Sequence, residues 1–430
     1  MEVTTLTSEI ASLVRGVGLR TDLQPVVDLD SGAVAGYEAL ARGPEGSPLA
    51  TPVEMFAEAA RAGLLAELDL ACARTAMRAA RRAGIEPPMT LFVNLEPEVI
   101  ATREGLVDEL RAEAEGLRVM VEVTERALTA RPERLLCGLA ELRRAGFGIA
   151  LDDVGADRRA LPLLSVLRPD VIKLDLSLVR GRPSRELAEI VNAVNAEAEL
   201  SGALILAEGI ETAEHRFTAT AIGAMVGQGF LLGRPAPPPA ALPTSTRGLR
   251  LPSRSLQATG GTPFSLVSRR RPLRVADRGL LLRLSRNLER QAMSLGPTGL
   301  VLSTFQYADR FAGVTEDLYS RLGERASVIA FGVGLGPEAA PGVGGVDLEP
   351  TDPLVQEWSV CVVGAHFAAA FAAAELSRRG PARERRFDYA MTYDRELAID
   401  MARSLVLRVP DAGDGAPDLL GGFSAPLRAT

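Results

Sequence analysis

From Leu23 to Gly233 the sequence alternates short apolar runs with amphipathic stretches, and this alternation limits the fold more than any other feature. The runs read LQPVVDL, VAGYEAL, TLFVNL, RVMVEVT, GIALDDV, DVIKLDL, LILAEG and MVGQGF. Between them, stretches such as 66–82, 132–145 and 185–200 place apolar residues at i, i+3 and i+4, the pattern of helices with one buried face. Strands alternating with helices predict a mainly parallel sheet. Eight strand candidates fit a TIM-like (β/α)8 barrel, an α/β fold class. The first two runs are joined by Asp30-Ser31-Gly32 alone. That connection is too short for a crossover helix, so it predicts a hairpin and one antiparallel strand.

After Gly233 the texture changes to a stretch rich in Pro, Ser, Thr and Gly, the composition of a linker. The expected organisation is a lead helix over 1–19, a barrel over 20–240, a linker over 241–263, a smaller α/β domain over 264–410 and a flexible tail over 411–430. The second domain is expected to carry a long helix near Arg274–Leu295, strands at LVLST, SVIAFGVG and WSVCVVGAHF, and a final helix near Tyr393–Leu407. Apolar residues make up 47% of the 430 and charged residues 24%, a globular balance. The Ala-rich stretch Ala365–Leu376 is too short to span a bilayer, and MEVTTLTSEI lacks the basic and apolar regions of a secretory leader. Three cysteines without a CxxC support neither a disulfide framework nor a zinc site. A cytoplasmic protein without membrane association is expected. The net charge of −7 argues against nucleic-acid binding.

On a strand, alternate residues share a face. Asn94 follows Phe92, Asp152 follows Ala150, Lys173 follows Val171 and Glu208 follows Leu206, each at the C-terminal end of its run. Barrel enzymes build active sites at that end, where the βα loops converge. Glu38, Asn94, Glu122, Asp152, Asp153, Lys173, Glu208 and Gln228 are therefore expected to point into one bowl. Any one of these carboxylates alone reads as a solvated rim residue. Crowded together they repel, and divalent cations relieve that repulsion. Oxygen and amide donors without Cys or His suit Mg²⁺, Mn²⁺ or Ca²⁺, and a pair of hard metals is common apparatus for cutting phosphodiesters. Lys173 is the only lysine in a chain that otherwise uses arginine, which suggests a need for a compact ammonium.

These residues lie in motifs. Glu38-Ala39-Leu40 followed by Arg42 resembles the EALxR signature of the EAL domain, the bacterial phosphodiesterase that linearises cyclic di-GMP. The resemblance continues in order along residues 20–240. Gln24-Pro25 is similar to the family's QP, Asn94-Leu95 with Pro97 to NLxP, and Glu122–Glu125 to ELTE. Asp152-Asp153 opens the DDFGTG segment, Lys173–Asp175 resembles KID, Ala207–Thr212 resembles AEGVET, and Gln228–Phe230 resembles QGY. The resemblance implies two Mg²⁺ or Mn²⁺ ions, one held by Glu38, Asn94, Glu122 and Asp152, the other by Asp152, Asp153 and Glu208. It further implies that Lys173 orients water or steadies developing charge, that Glu208 acts as base, and that Glu211 and Gln228 support the site. Gln24, Leu40, Arg42 and Gln228 would contact the nucleotide, Glu125 would support the loop after Asp153, and the barrel would form a homodimer. The chain departs from the family at that loop, reading DDVGADRRAL from Asp152 to Leu161 where the family reads DDFGTGYSSL. This departure keeps a second reading open, a non-catalytic cyclic-di-GMP receptor.

Residues 264–410 resemble the DICT domain, a sensory module, through VLSTFQYADRF, VIAFGVG and DPLVQEWSVCVVGAHFAAAF. Its signal is not readable from these motifs. Trp358, Phe305 and Phe367 are expected to serve core packing before a pocket.

Overall fold

The structure is a computed structural model. It describes residues 2–124, 132–155, 161, 163–181, 184–240, 242, 248–249, 251, 260–376 and 385–410. Eight strands close a barrel in sequence order: β1 (Arg20–Asp28), β2 (Val34–Arg42), β3 (Thr90–Asn94), β4 (Val119–Thr124), β5 (Gly148–Val154), β6 (Val171–Leu174), β7 (Leu204–Ala207) and β8 (Val226–Gly227). β1 runs antiparallel to both of its neighbours, β2 and β8, and the remaining pairs are parallel. The expected hairpin is present. Asp28 accepts from the Ser31 backbone and hydroxyl through its side chain, and Gly32 takes the positive φ of 71° that the turn requires.

One face of each strand fills the barrel. Val26, Ala35, Phe92, Met120, Ala150, Val171, Leu206 and Val226 form an interior cluster, and Leu249, from the segment following the barrel, packs into it. The opposite face packs against the surrounding helices, for instance Leu91, Val93, Val121, Ile149, Leu151 and Ile172. Because the side-chain period is two, the residues two positions beyond Phe92, Met120, Ala150, Val171, Leu206 and Val226 also face inward. The pattern of core packing thus aims the polar residues into the barrel mouth.

The second domain is built on an eight-stranded mixed sheet. Its strands are β9 (Arg274–Asp277), β10 (Leu300–Tyr307), β11 (Ser327–Val333), β12 (Glu338–Ala340), β13 (Val343–Asp347), β14 (Glu357–Val363), β15 (Ala368–Glu375) and β16 (Arg386–Thr392). They lie in the order β12-β13-β11-β10-β14-β15-β16-β9. One expectation needs correction, and one strand lies where the sequence predicts no element. The helix expected from Arg274 begins at Arg278, because Arg274–Asp277 pair with β16 and Asp277 caps the helix by accepting from Leu280 N. The Ala-rich stretch is a central strand: β15 is hydrogen-bonded to β14 on one side and β16 on the other. Alanine has little intrinsic strand preference. Its small side chain suits a strand covered on both faces, Ala370 and Ala372 toward one apolar layer and Ala369 and Ala373 toward the other.

The helix Arg395–Val406 joins the two domains. Every residue from Leu397 to Val406 is buried. Its N-terminal Arg395 donates to Gly364 O (2.8 Å) in the sheet domain and to Ser165 Oγ (2.8 Å) in the barrel domain, and pairs with Glu197 Oε2 (3.3 Å). Ser165 also donates to Glu197 (2.6 Å), so the buried carboxylate has two partners. Removing one partner of a buried charge strands the other. Arg395→Ala is expected to cost about 3 kcal/mol in urea denaturation. Combined with Glu197→Gln, the cost should fall well short of the sum, and full additivity would show that the contact is energetically idle.

Candidate active site

Lys173 stands on β6, where Val171 fills the interior and the next inward position reaches the mouth. Its ammonium lies 2.8 Å from Glu122 Oε1, 2.8 Å from Glu208 Oε1, 3.1 Å from Asp152 Oδ1 and 3.8 Å from Glu38 Oε1. The side chain is 1% exposed. Burial alone would depress its pKa, but Glu122, Glu38, Glu208 and Asp152 together hold it well above the ordinary lysine value. The four carboxylates arrive from four strands or strand ends, β2, β4, β5 and the turn after β7.

The same enclosure separates the carboxylates. Burial pushes Glu122 well above the usual carboxylate range, with Lys173 opposing and Glu38 and Asp152 adding repulsion. Burial also raises Glu208, to about 7, against the pull of Lys173. In Glu38 the burial penalty is outweighed by Lys173 and by hydrogen bonds from Gln228 and Asn94, so its pKa is lowered. Asn94 Nδ2 donates to Glu38 Oε1 (3.2 Å), and Gln228 Nε2 donates to Glu38 Oε2 and to Gln24 Oε1 (3.0 Å). Gln24, opposite Glu38 in the β1–β2 register, donates in turn to Gly233 O (3.0 Å). This chain of amides fixes the Glu38 carboxylate.

Asp152, Asp153 and Glu208 each bring a carboxylate oxygen within 4.8 Å of the other two. Asp153 takes a positive φ of 58°, a strained conformation for a residue with a side chain. The donor set is oxygen, joined by Asn94 and Gln228, with no Cys or His in the Asp152–Asp153–Glu208 group. Glu122 Oε2 and Gln228 Oε1 are buried without a hydrogen-bond partner. Clustered hard donors with orphaned oxygens fit a hard divalent cation.

Other expected residues lie outside the Lys173 cluster. Arg42 pairs with Asp22 Oδ2 (2.9 Å), its diagonal neighbour across the β1–β2 ladder. Leu40 is half-buried on the same strand. Glu211 pairs with Arg180 (2.8 Å), whose guanidinium also donates to Gly209 O. Glu125 and the altered loop 156–160 lie outside the described residues. Sequence reasoning missed Asp22, Arg180 and Asp69. Asp69 sits on the apolar face of the helix Leu65–Arg82, and its Oδ2 accepts from Glu96 N (2.8 Å), holding the turn that follows Asn94. Burial raises its carboxyl to about 8. A lone acid among Leu68, Leu70 and Ala71 was a readable signal.

Lys173→Met would leave the carboxylates without their counter-charge. Their folded-state pKa values, already raised in Glu122 and Glu208, would rise further above the unfolded value near 4.5. A group of this kind keeps its stability below the unfolded pKa and loses it as the pH climbs through the folded one. In excess chelator the variant is therefore expected to lose about 2 kcal/mol more than the parent between about pH 5 and pH 8. Parallel stability profiles would contradict this charge balance.

A family model described as the EAL domain matches residues 8–235, and one described as a sensory domain in diguanylate cyclases and two-component systems (DICT) matches residues 265–376. The cyclic di-GMP phosphodiesterase RocR of Pseudomonas aeruginosa is 29% identical over 249 residues, 55% of this chain and 63% of RocR. The bifunctional diguanylate cyclase/cyclic di-GMP phosphodiesterase MucR of the same organism is 32% identical over 226 residues, 50% of this chain and 32% of MucR. This chain spans less than two thirds of either protein. A solved structure of Klebsiella pneumoniae BlrP1, a calcium/cyclic di-GMP complex, is 34% identical over 51% of this chain and 56% of its own, with a TM-score of 0.47. With the EAL match covering more than half of its residues, and the DICT match following it, the chain belongs to the EAL-domain family and carries a C-terminal DICT domain.

Proposed function

We propose that the protein is a metal-dependent phosphodiesterase that hydrolyses cyclic di-GMP to linear pGpG, regulated by its DICT domain and working in the cytoplasm. The observation that carries this reading is the buried ring of Glu38, Glu122, Asp152 and Glu208 around Lys173, with Asp153 beside it. The names of similar proteins supply the substrate.

In this reading Glu38, Asn94, Glu122 and Asp152 hold one Mg²⁺ or Mn²⁺, and Asp152, Asp153 and Glu208 hold a second. Held by these residues, such ions would supply Lewis-acid polarisation of the phosphodiester and a lowered pKa for water. The chain's own residues do the rest. Glu208 Oε1 receives the proton of the attacking water. Lys173 Nζ, fixed by its carboxylate neighbours, orients that water and steadies charge that grows on the phosphoryl oxygens. Water adds to phosphorus, the bond to one 3′ oxygen breaks, and that oxygen takes a proton to leave as the free hydroxyl of pGpG. Gln24 and Gln228 hold Glu38 in register, Leu40 lines the nucleotide's path, and Glu211 with Arg180 braces the turn that carries Glu208. Arg42 forks onto a phosphate after exchanging its Asp22 partner. A homodimer through the barrel belongs to the same reading.

The departure at Ala156–Ala160 favours a second reading, in which the site binds cyclic di-GMP and does not cut it. Product chromatography after incubation with cyclic di-GMP separates the two. Hydrolysis is expected with Mg²⁺ or Mn²⁺ and suppression with Ca²⁺, which prefers longer, looser coordination. Unchanged turnover in excess chelator would exclude the metal mechanism. Tight binding with no product, and cleavage restored when 156–160 is replaced by TGYSS, would establish the receptor. Lys173→Arg is expected to lose on the order of 10²-fold in kcat while still binding nucleotide, because a guanidinium fork cannot occupy the space of an ammonium.

A further inference from the structure

The DICT domain contains a cavity of about 410 Å³ between the helix Arg278–Ala292 and the end of the sheet near β10, β14 and β16. Its apolar wall combines the aromatic rings of Phe305, Trp358 and Phe387 with Leu282, Leu318 and Val355. Trp358 meets Phe371 and Phe387 edge to face, with ring centroids 5.7 and 6.5 Å away. It remains only partly buried, leaving part of the ring toward the cavity. Phe305 and Trp358 pack against the domain's core as expected and also line the cavity. Phe367 lies elsewhere, edge to face with Tyr393.

The charged lining is four arginines, Arg278, Arg286, Arg310 and Arg385, against two carboxylates. Arg278 and Arg286 reach the cavity from the helix, and neither makes a hydrogen bond or ion pair through its side chain among the described residues. Arg385 is matched by Glu375 at 3.3 Å. The other lining carboxylate, Glu289, is buried at the helix and accepts from Tyr319 Oη (3.0 Å). Burial lifts its pKa to about 7, so near neutral pH it carries only part of a negative charge. The cavity thus has positive charge in excess.

The backbone is strained at the same place. Gln306 takes a φ of 55°, where β10 slips its register against β11 between Thr304 and Tyr307. Its amide donates to Glu357 O (3.0 Å). A non-glycine residue held in the left-handed region costs about 1–3 kcal/mol, and such strain clusters at ligand clamps.

We propose that this cavity is the DICT domain's ligand site and that it takes a flat, aromatic organic carboxylate, its ring packed in the corner between Trp358 and Phe387 and its carboxylate on Arg278 and Arg286. The size is that of a small-molecule pocket. Planar guanidinium groups fit a carboxylate with paired hydrogen bonds, while the aromatic walls select a ring.

Trp358 is the only tryptophan in the chain, so its fluorescence reports this cavity alone. The full-length protein is titrated with benzoate, trans-cinnamate and 2-naphthoate, with their neutral amides, and with benzyltrimethylammonium. Saturable changes are expected with at least one carboxylate, at least tenfold weaker with its amide. Arg286→Gln and Arg278→Gln, both changes of side chains without ion pairs, should each weaken the carboxylate about tenfold and leave the amide unaffected. The proposal is overturned if no carboxylate gives a saturable response, if amide and carboxylate bind alike, if the quaternary ammonium binds instead, or if neither arginine matters. The readout is independent of nucleotide hydrolysis.

Discussion

The site depends on one buried ammonium. Four carboxylates at the barrel mouth could not all be ionised and enclosed on their own, since each loses hydration and repels the others. Lys173 lies within 4 Å of all four and turns that conflict into attraction. The compensation is incomplete. One positive charge faces more than one negative charge, which is why Glu208 and Glu122 remain raised while Glu38, with its added amide donors, is lowered. The arrangement leaves an electrostatic deficit of the kind that a divalent cation fits.

Much of this was legible in the sequence because a strand has a period of two. Placing Phe92, Ala150, Val171 and Leu206 in the interior places Asn94, Asp152, Lys173 and Glu208 at the mouth, with no freedom between the two statements. The short Asp30–Gly32 link likewise leaves little besides a hairpin. The partners made across the fold were not legible. Arg42 reads as a free phosphate fork in its motif, but its Asp22 partner follows from the diagonal register of β1 and β2. Arg180 and Glu211 meet only because the helix after β6 passes the turn after β7.

The second domain was less legible for a physical reason. Alanine's intrinsic preference is for helix, so Ala368–Ala374 gives no strand signal of its own. Its state is set by β14 and β16 on either side, and a tertiary decision of that kind leaves no local trace. Arg274–Asp277 is similar: four residues become a strand because β16 offers an edge. The final helix, by contrast, announces itself with the Asp394 cap and a continuous apolar pattern, yet its sequence does not say that it is shared by two domains. Arg395 supplies that link, with one guanidinium bonded to both. The contact falls beside Leu164–Leu167, the short helix that follows the strand bearing Asp152 and Asp153.

The most direct measurement of the central claim is anomalous diffraction at the manganese edge, from crystals grown with Mn²⁺ and cyclic di-GMP. Peaks are expected among the oxygens of Asp152, Asp153 and Glu208 and among Glu38, Asn94, Glu122 and Asp152, with the nucleotide's phosphate against them. Nucleotide density in the barrel mouth with no anomalous peak at these carboxylates would contradict the account.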